Sequence, residues 1–241
     1  LVDGAVSRLI GAMTSRAPTD KRGRARVARI LDAAAEILVA ENDLEAITTT
    51  SVAERSDQSV ATVYRYFADR DEIVSVLFDR ETKGLDELLI QRFLELDRVT
   101  IGGLMETMIE CNYDYFRQNR RASAIWFGTR ANQEVADRVE LRYANIAQWF
   151  MNGARKAGLI TAETPDFGGE LIVWMGDTAL RYIFSEQRSE DYEQAVLDEW
   201  KAMINFRIES YTTELGRVGV EPLAFIEKAG VLTSPYADEV V

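Results

Sequence analysis

The chain has 241 residues and is 47% hydrophobic, 28% charged and net −12, so it is long enough for one large or two modest domains with their own cores. No apolar run approaches the roughly 18–20 residues that span a bilayer. Histidine is absent and Cys111 is the only cysteine, which removes an intrachain disulfide, Cys/His zinc sites, histidine-dependent triads and Glu-x-x-His di-iron bundles.

Residues 1–20 show no period and contain Pro18, which predicts a flexible or variably helical extension; they lack an initiator Met and are too broken by charge and glycine for a secretory signal, so a truncated start and a cytoplasmic location are expected. The stretch Lys21–Arg26 follows as KRGRAR. Residues 16–29 carry a net +5, and local charge is what phosphates meet, so the acidic total does not exclude DNA. Such a cluster suits a sugar-phosphate backbone or a minor groove through Arg22, Arg24 and Arg26, as a basic arm does; the plain alternative is a solvated helix start. Cys111 reads as a small core hydrophobe, with a ligand-lining or redox-sensing thiol as the minority alternative.

Val27, Ile30, Leu31, Ala34, Ile37 and Leu38 trace one helical face that stops near Asn42-Asp43, and Leu44 and Ile47 then plug a small core. Thr48 caps a short helix with Val52 and Ala53 on its inner face. Ser56, Asp57, Gln58 and Ser59 break it, and Ser59 caps a second helix, Val60 to Tyr66, with Val63 and Phe67 inward. Two short helices, a tight turn and a polar, aromatic second helix make a helix-turn-helix.

These residues resemble the DNA-binding domain of the TetR family of transcriptional repressors, whose pattern is roughly T-x-x-x-[IV]-A-x-x-A-G-V-S-x-G-T-[LV]-Y-x-[HY]-F. Thr48, Val52, Ala53, Ser59, Thr62, Val63, Tyr64, Tyr66 and Phe67 match it; Arg29–Ala34 resembles the family's first helix and Asp69–Ile73 the start of its fourth. The chain departs from the pattern at Asp57-Gln58, where Gly-Val is usual, and at Ala61, where Gly is usual. Asp tolerates a left-handed conformation better than most residues, whereas Gln58 must find a partner for its amide. The resemblance implies a regulator that binds operator DNA as a homodimer and answers to a small-molecule effector, with no enzymatic activity and no cofactor. A second reading stays open: a helical ligand- or protein-binding dimer whose helix-turn-helix has lost operator recognition. An enzyme built on the body is a third, and the missing histidine and lack of a nucleophile or phosphate motif count against it.

On a helix lying in the major groove, Ala61, Thr62 and Arg65 suit base edges, and Tyr64 and Tyr66 suit phenol-to-phosphate contacts. Thr48 and Ser59 sit at helix N-termini, where N–H groups bind phosphate, and Arg70 completes the set of expected DNA contacts. Each tyrosine ring also suits packing on the neighbouring helix.

Asp69 and Glu72 predict a capping box for a fourth helix that runs past Gly84, and the body beyond shows helical periods only. Gly158 reads as a C-cap, Thr164 as the N-cap of a helix with Pro165 at its first position, and Tyr192 to Tyr211 as the last long helix. The fold class is all-α: an extension over 1–20, a helix-turn-helix domain over 21–70, a connecting helix over 71–99, a ligand-binding and dimerisation bundle over 100–215, and a C-terminal extension over 216–241 with a short helix lying on the body. Wide apolar faces predict a pocket for a hydrophobic or flat aromatic ligand, lined by Met105, Met108, Tyr115, Trp126, Phe127, Trp149 and Trp174 and oriented by Asn112, Asp177 and Arg181, though such stripes are more often plain core. A dimer interface is expected on the last two long helices at Trp174, Trp200, Ile204, Ile208 and Tyr211.

Overall fold

A computed structural model describes residues 20–128, 133–185 and 188–230, so the expected N-terminal extension lies outside the described residues. Among the described residues the regular structure is helical, with two isolated β-bridges, Val99 to Val220 and Ile160 to Thr212. The chain forms two compact units.

The first unit holds the described residues up to Gly84 and those between Asn119 and Val139. Its helices are α1 (Lys21–Glu41), α2 (Thr49–Arg55), α3 (Val60–Tyr66), the first part of α4 (Arg70–Leu94), α6 (Arg120–Gly128) and the start of α7 (Gln133–Lys156). Helix α1 starts where Asp20 accepts from the N–H of Gly23 at 2.7 Å and stops at Asn42, whose φ of 49° and N–H to Leu38 carbonyl bond close the last turn. Val27, Ile30, Leu31, Ala34 and Leu38 are buried on one face, as their 3.6-residue spacing demands; α1 packs on α2, and Ile47, Val52, Val63 and Phe67 are buried in the same unit. Asp69 caps α4 through the N–H of Glu72 at 2.9 Å, and the Glu72 carboxylate reaches back to the N–H of Ala68. Helix α6 packs against α1, with Arg121 beside Asp32 at 3.2 Å and Glu36 at 3.6 Å. Its Trp126 stacks on Phe78 of α4 at 5.3 Å between centroids.

The second unit holds Leu85–Gln118 and the described residues from Glu140 onward. It contains the rest of α4 and α7, α5 (Ile101–Gln118), α8 (Phe167–Phe184), α9 (Glu190–Glu209), α10 (Glu214–Val218) and α11 (Pro222–Ala229). Gly158, at φ 74°, ends α7. Helix α8 begins at Phe167 rather than behind a Thr164 cap. The Thr164 hydroxyl faces that of Thr161 at 3.3 Å and its carbonyl accepts from Arg155, while a turn closed by the Gly168 N–H on the Pro165 carbonyl leads into the helix. The C-terminal segment is described as far as Gly230, the rest of it lying outside the described residues, and it packs on this unit through Phe225 while Leu223 faces solvent. Val220 pairs with Val99, Arg98 donates to the carbonyls of Val218 and Gly219, and the fully buried Phe225 meets Phe93 and Trp149 edge-on. Two buried polar links brace this unit: Arg142 of α7 pairs with Asp86 of α4, and Glu193 of α9 accepts from Tyr113 and Arg117 of α5. Burial, together with the Glu193 carboxylate, pushes the Tyr113 phenol up to about 12.

Candidate functional site

The turn between α2 and α3 is built by the two residues that depart from the family pattern. Asp57 has a φ of 53°, its N–H donates to the Glu54 carbonyl at 3.3 Å, and the N–H of Gln58 donates to the Ala53 carbonyl at 3.0 Å. This pair of bonds with a left-handed residue between them is a Schellman cap. The Gln58 amide donates to the Asp57 carbonyl at 2.7 Å, so its polar head serves the turn instead of burdening the core. At the start of α2, Thr48 and Ser51 cap reciprocally. At the start of α3, the Ser59 oxygen accepts from the N–H of Thr62 at 3.1 Å.

With Val63 and Phe67 buried, Ala61, Tyr64 and Arg65 are exposed on the opposite side of α3, and Thr62 lies half-buried with its hydroxyl 2.8 Å from that of Ser59. Tyr64 is 47% exposed, and its hydroxyl accepts from Thr49 of α2 at 3.3 Å, which ties the side chain to the neighbouring helix. Tyr66 differs from the expectation that its hydroxyl reaches out: it is 5% exposed, and that hydroxyl accepts from Arg65 at 2.7 Å. The Arg65 bond holds its phenol below the usual range, and Arg26 of α1 also reaches the same oxygen. Tyr66 therefore positions two cations and does not itself face solvent.

The basic stretch is the first two turns of α1, not an extended arm, because Asp20 caps the helix just before Lys21. Lys21 and Arg22 are exposed, and Arg24 and Arg26 are half-buried. Cations in a first helical turn oppose the helix dipole, so the local field there favours an anion twice over. Arg70 forks onto Glu45 at 2.7 and 2.8 Å, an arrangement that holds the Glu45 carboxyl below its usual range and ties this guanidinium to the protein.

In the body, the ten expected ligand-lining residues fall into separate packing groups. Met105 is buried, and Met108 is half-buried with its carbonyl accepting from Asn112 of the same helix at 2.8 Å. Tyr115 meets Phe116 edge-on. Trp126 belongs to the first unit against Phe78, and half-buried Phe127 lies on the same helix. Trp149 stacks on Phe93 and donates to the Gly230 carbonyl at 2.8 Å. Asp177 is buried with Arg181 at 3.3 Å, and Trp174 meets Tyr143 edge-on. Of the ten, Trp174 lines an open groove of about 670 Å³ that runs along α8 and α9.

That groove is apolar, and two of the five residues expected at a dimer face, Trp174 and Trp200, line it. Trp174 is 38% exposed on it. Ile204 and Ile208 point into the protomer and are buried, and Tyr211 lies half-buried under the Arg207 guanidinium at 4.4 Å. Trp200 forms the floor, packed so close to Gly176 that a Cβ there would meet its ring at 2.8 Å. Helix α9 has a second, outer stripe through Tyr192, Met203 and Phe206, the last 87% exposed, and Leu171 and Met175 continue the surface on α8. Spacing alone could have found it: the apolar positions 192, 196, 203 and 206 recur at helical intervals beside the inner 197, 200, 204 and 208. Cys111 is buried, and burial pushes its thiol up to about 12.

Residues 30–77 match the family described as bacterial regulatory proteins, tetR family. No curated protein matches the chain. Among solved structures, SmeT in its complex with triclosan superposes with a TM-score of 0.60 at 16% identity, covering 79% of this chain and 93% of that one. A TetR-family transcriptional regulator from Haemophilus influenzae superposes with a TM-score of 0.45 at 16% identity, covering 76% of this chain and 98% of that one.

Proposed function

We propose that the chain, whose residues 30–77 match the tetR family of bacterial regulatory proteins, is a transcriptional repressor that holds a two-fold symmetric operator as a homodimer and releases it when a hydrophobic molecule occupies its body. The observation that carries the DNA-binding part is Arg65, held on the outward side of α3 by Tyr66, with Ala61 and Tyr64 beside it and the basic first turns of α1 nearby through Arg26. A guanidinium fixed in that position suits a guanine edge or a phosphate. The net charge of −12 is no obstacle, because the positive charge is concentrated where the motif begins.

One such motif touches few base pairs, so specificity needs two, set roughly 34–36 Å apart on successive major-groove faces. The outer stripe of α8 and α9 supports a homodimer: Phe206, Met203 and Leu171 are large, apolar and solvent-facing, and the buried indole N–H of Trp200 has no acceptor among the described residues. A second copy seated there forms a four-helix interface. An effector then acts by preferring the conformer in which the two reading helices do not match successive grooves. Triclosan, the ligand in the SmeT complex, is the first compound to try. The alternative of a motif that has lost its operator gains no support from Asp57 and Gln58, whose turn is fully hydrogen-bonded.

The test is titration onto DNA from the chain's own upstream region at two salt concentrations, for wild type and Arg65→Ala. Tight binding at a symmetric site, lost in the variant, is expected. Equally weak binding with the same salt slope for both sinks the repressor reading in favour of a ligand- or protein-binding dimer.

A further inference from the structure

Where α8 begins and α9 ends, the second unit contains a cavity of about 140 Å³, separate from the expected pocket residues. Its floor is apolar and buried: Phe150 and Met151 of α7, Ile160 of the following turn, and Ile204 and Ile208 of α9. Its mouth is formed by solvent-facing side chains that include Phe167, Leu171 and Met203. The polar groups at its edge are Thr164, Arg207 and Tyr211, and the Arg207 guanidinium is already turned onto the Tyr211 ring and hydroxyl and the Ser210 oxygen.

An apolar cavity of about 150 Å³ stays dry and takes up benzene, so a space of this size and lining accepts one six-membered ring and is too small for two. We infer that this cavity is a binding site for a monocyclic aromatic molecule of the size of toluene or p-cresol. Leu171, Met175 and Met203 line both this cavity and the groove along α8 and α9, so a ring seated here presses on side chains of the outer stripe. The regulatory consequence rests on the repressor reading above, while binding of the ring does not.

The experiment is a titration of p-cresol onto the full chain, followed by calorimetry and by the methyl resonances of its methionines. Wild type is expected to saturate with a Kd on the order of 0.1–1 mM, with shifts at Met151, Met175 and Met203 and none at Met105 or Met108. Gly168→Leu adds a bulky side chain at the edge of the cavity. Gly168 lines it, and a Cβ built there meets nothing within 4 Å, so the variant should bind p-cresol at least tenfold more weakly at an unchanged or higher Tm. Saturable binding with shifts at Met105 and Met108 instead, or no saturable binding by wild type, overturns the site whatever the variant does. DNA affinity is measured in parallel without p-cresol. A chain that binds the ring but no DNA keeps the site and loses the repressor reading, and the reverse result does the opposite.

Discussion

The hydroxyl of Tyr66 lies 2.7 Å from Nη2 of Arg65, and the guanidinium carbon of the same arginine stands 4.9 Å from the centre of the Tyr66 ring. Adjacent residues on a helix do not ordinarily face each other. Here the tyrosine is buried, hydroxyl included, and the arginine folds back across the ring to reach that hydroxyl. The contact pre-orders a side chain that would otherwise lose rotamer freedom on meeting DNA. Tyr66→Phe keeps the packing and deletes the bond, and it should weaken operator binding by about three- to tenfold with little change in Tm, the worth of one hydrogen bond. Unchanged affinity by fluorescence anisotropy would show that Arg65 needs no anchor.

Arg65 and Arg70 are both basic and both belong to the expected contact set, yet they stand in different company. Arg70 is matched by the Glu45 carboxylate, and its guanidinium is not available to displace a counterion. Arg65→Ala should lower the slope of log K against log salt by about 1, whereas Arg70→Ala should leave the slope alone and lower thermal stability slightly. Equal slopes for the two variants would refute the distinction.

Asp57 holds a φ of 53° without being glycine. Asp57→Gly relieves that conformation and should raise unfolding stability by about 0.5–1 kcal/mol, partly offset by the freer unfolded chain. Asp57→Val, β-branched at the same angle, should lower it by more than that. Urea midpoints of the two variants on the same side of wild type would contradict the role assigned to this turn.

Cys111 is 2% exposed, and burial lifts its thiol from 9.0 to about 12. A raised value in the folded state means that the stability it supports is complete below pH 9 and declines as pH rises from 9 towards 12. Relative to Cys111→Ala, wild type should therefore lose about 1 kcal/mol per pH unit above 9. Urea curves for the pair at pH 8, 9 and 10 measure this, and a constant difference between them would exclude a buried neutral thiol.

Phe225 is the anchor of the C-terminal segment, fully buried between Phe93 and Trp149. Phe225→Ala should cost about 3–5 kcal/mol and red-shift the emission of Trp149. A loss under about 1 kcal/mol would mean that α11 contributes little to the body.

The helix-turn-helix was legible in the sequence because its determinants are local. Caps at Asp20, Thr48 and Ser59 act on N–H groups two or three residues away, and the inward stripe of α1 repeats within a single helix. The same holds for the left-handed positions at Asn42, Asp57 and Gly158, each marked by a residue type that tolerates that conformation. Local signals also misled: Thr164-Pro165 has the form of a helix start, yet the hydroxyl faces Thr161, the carbonyl receives Arg155, and α8 begins at Phe167.

Which segments are helical, and where most of them stop, follows from neighbours within one turn of the chain and can be read along it. The direction in which the second and third apolar faces point depends on packing between helices distant in sequence. Trp126 is as hydrophobic as Trp149, but one stacks on Phe78 in the first unit and the other on Phe93 in the second. Helix α9 offers two apolar stripes, and burial of Ile204 and Ile208 is what leaves Met203 and Phe206 outside. Hydrophobic burial is non-directional, so a sequence shows that a side chain needs cover without showing which surface supplies it.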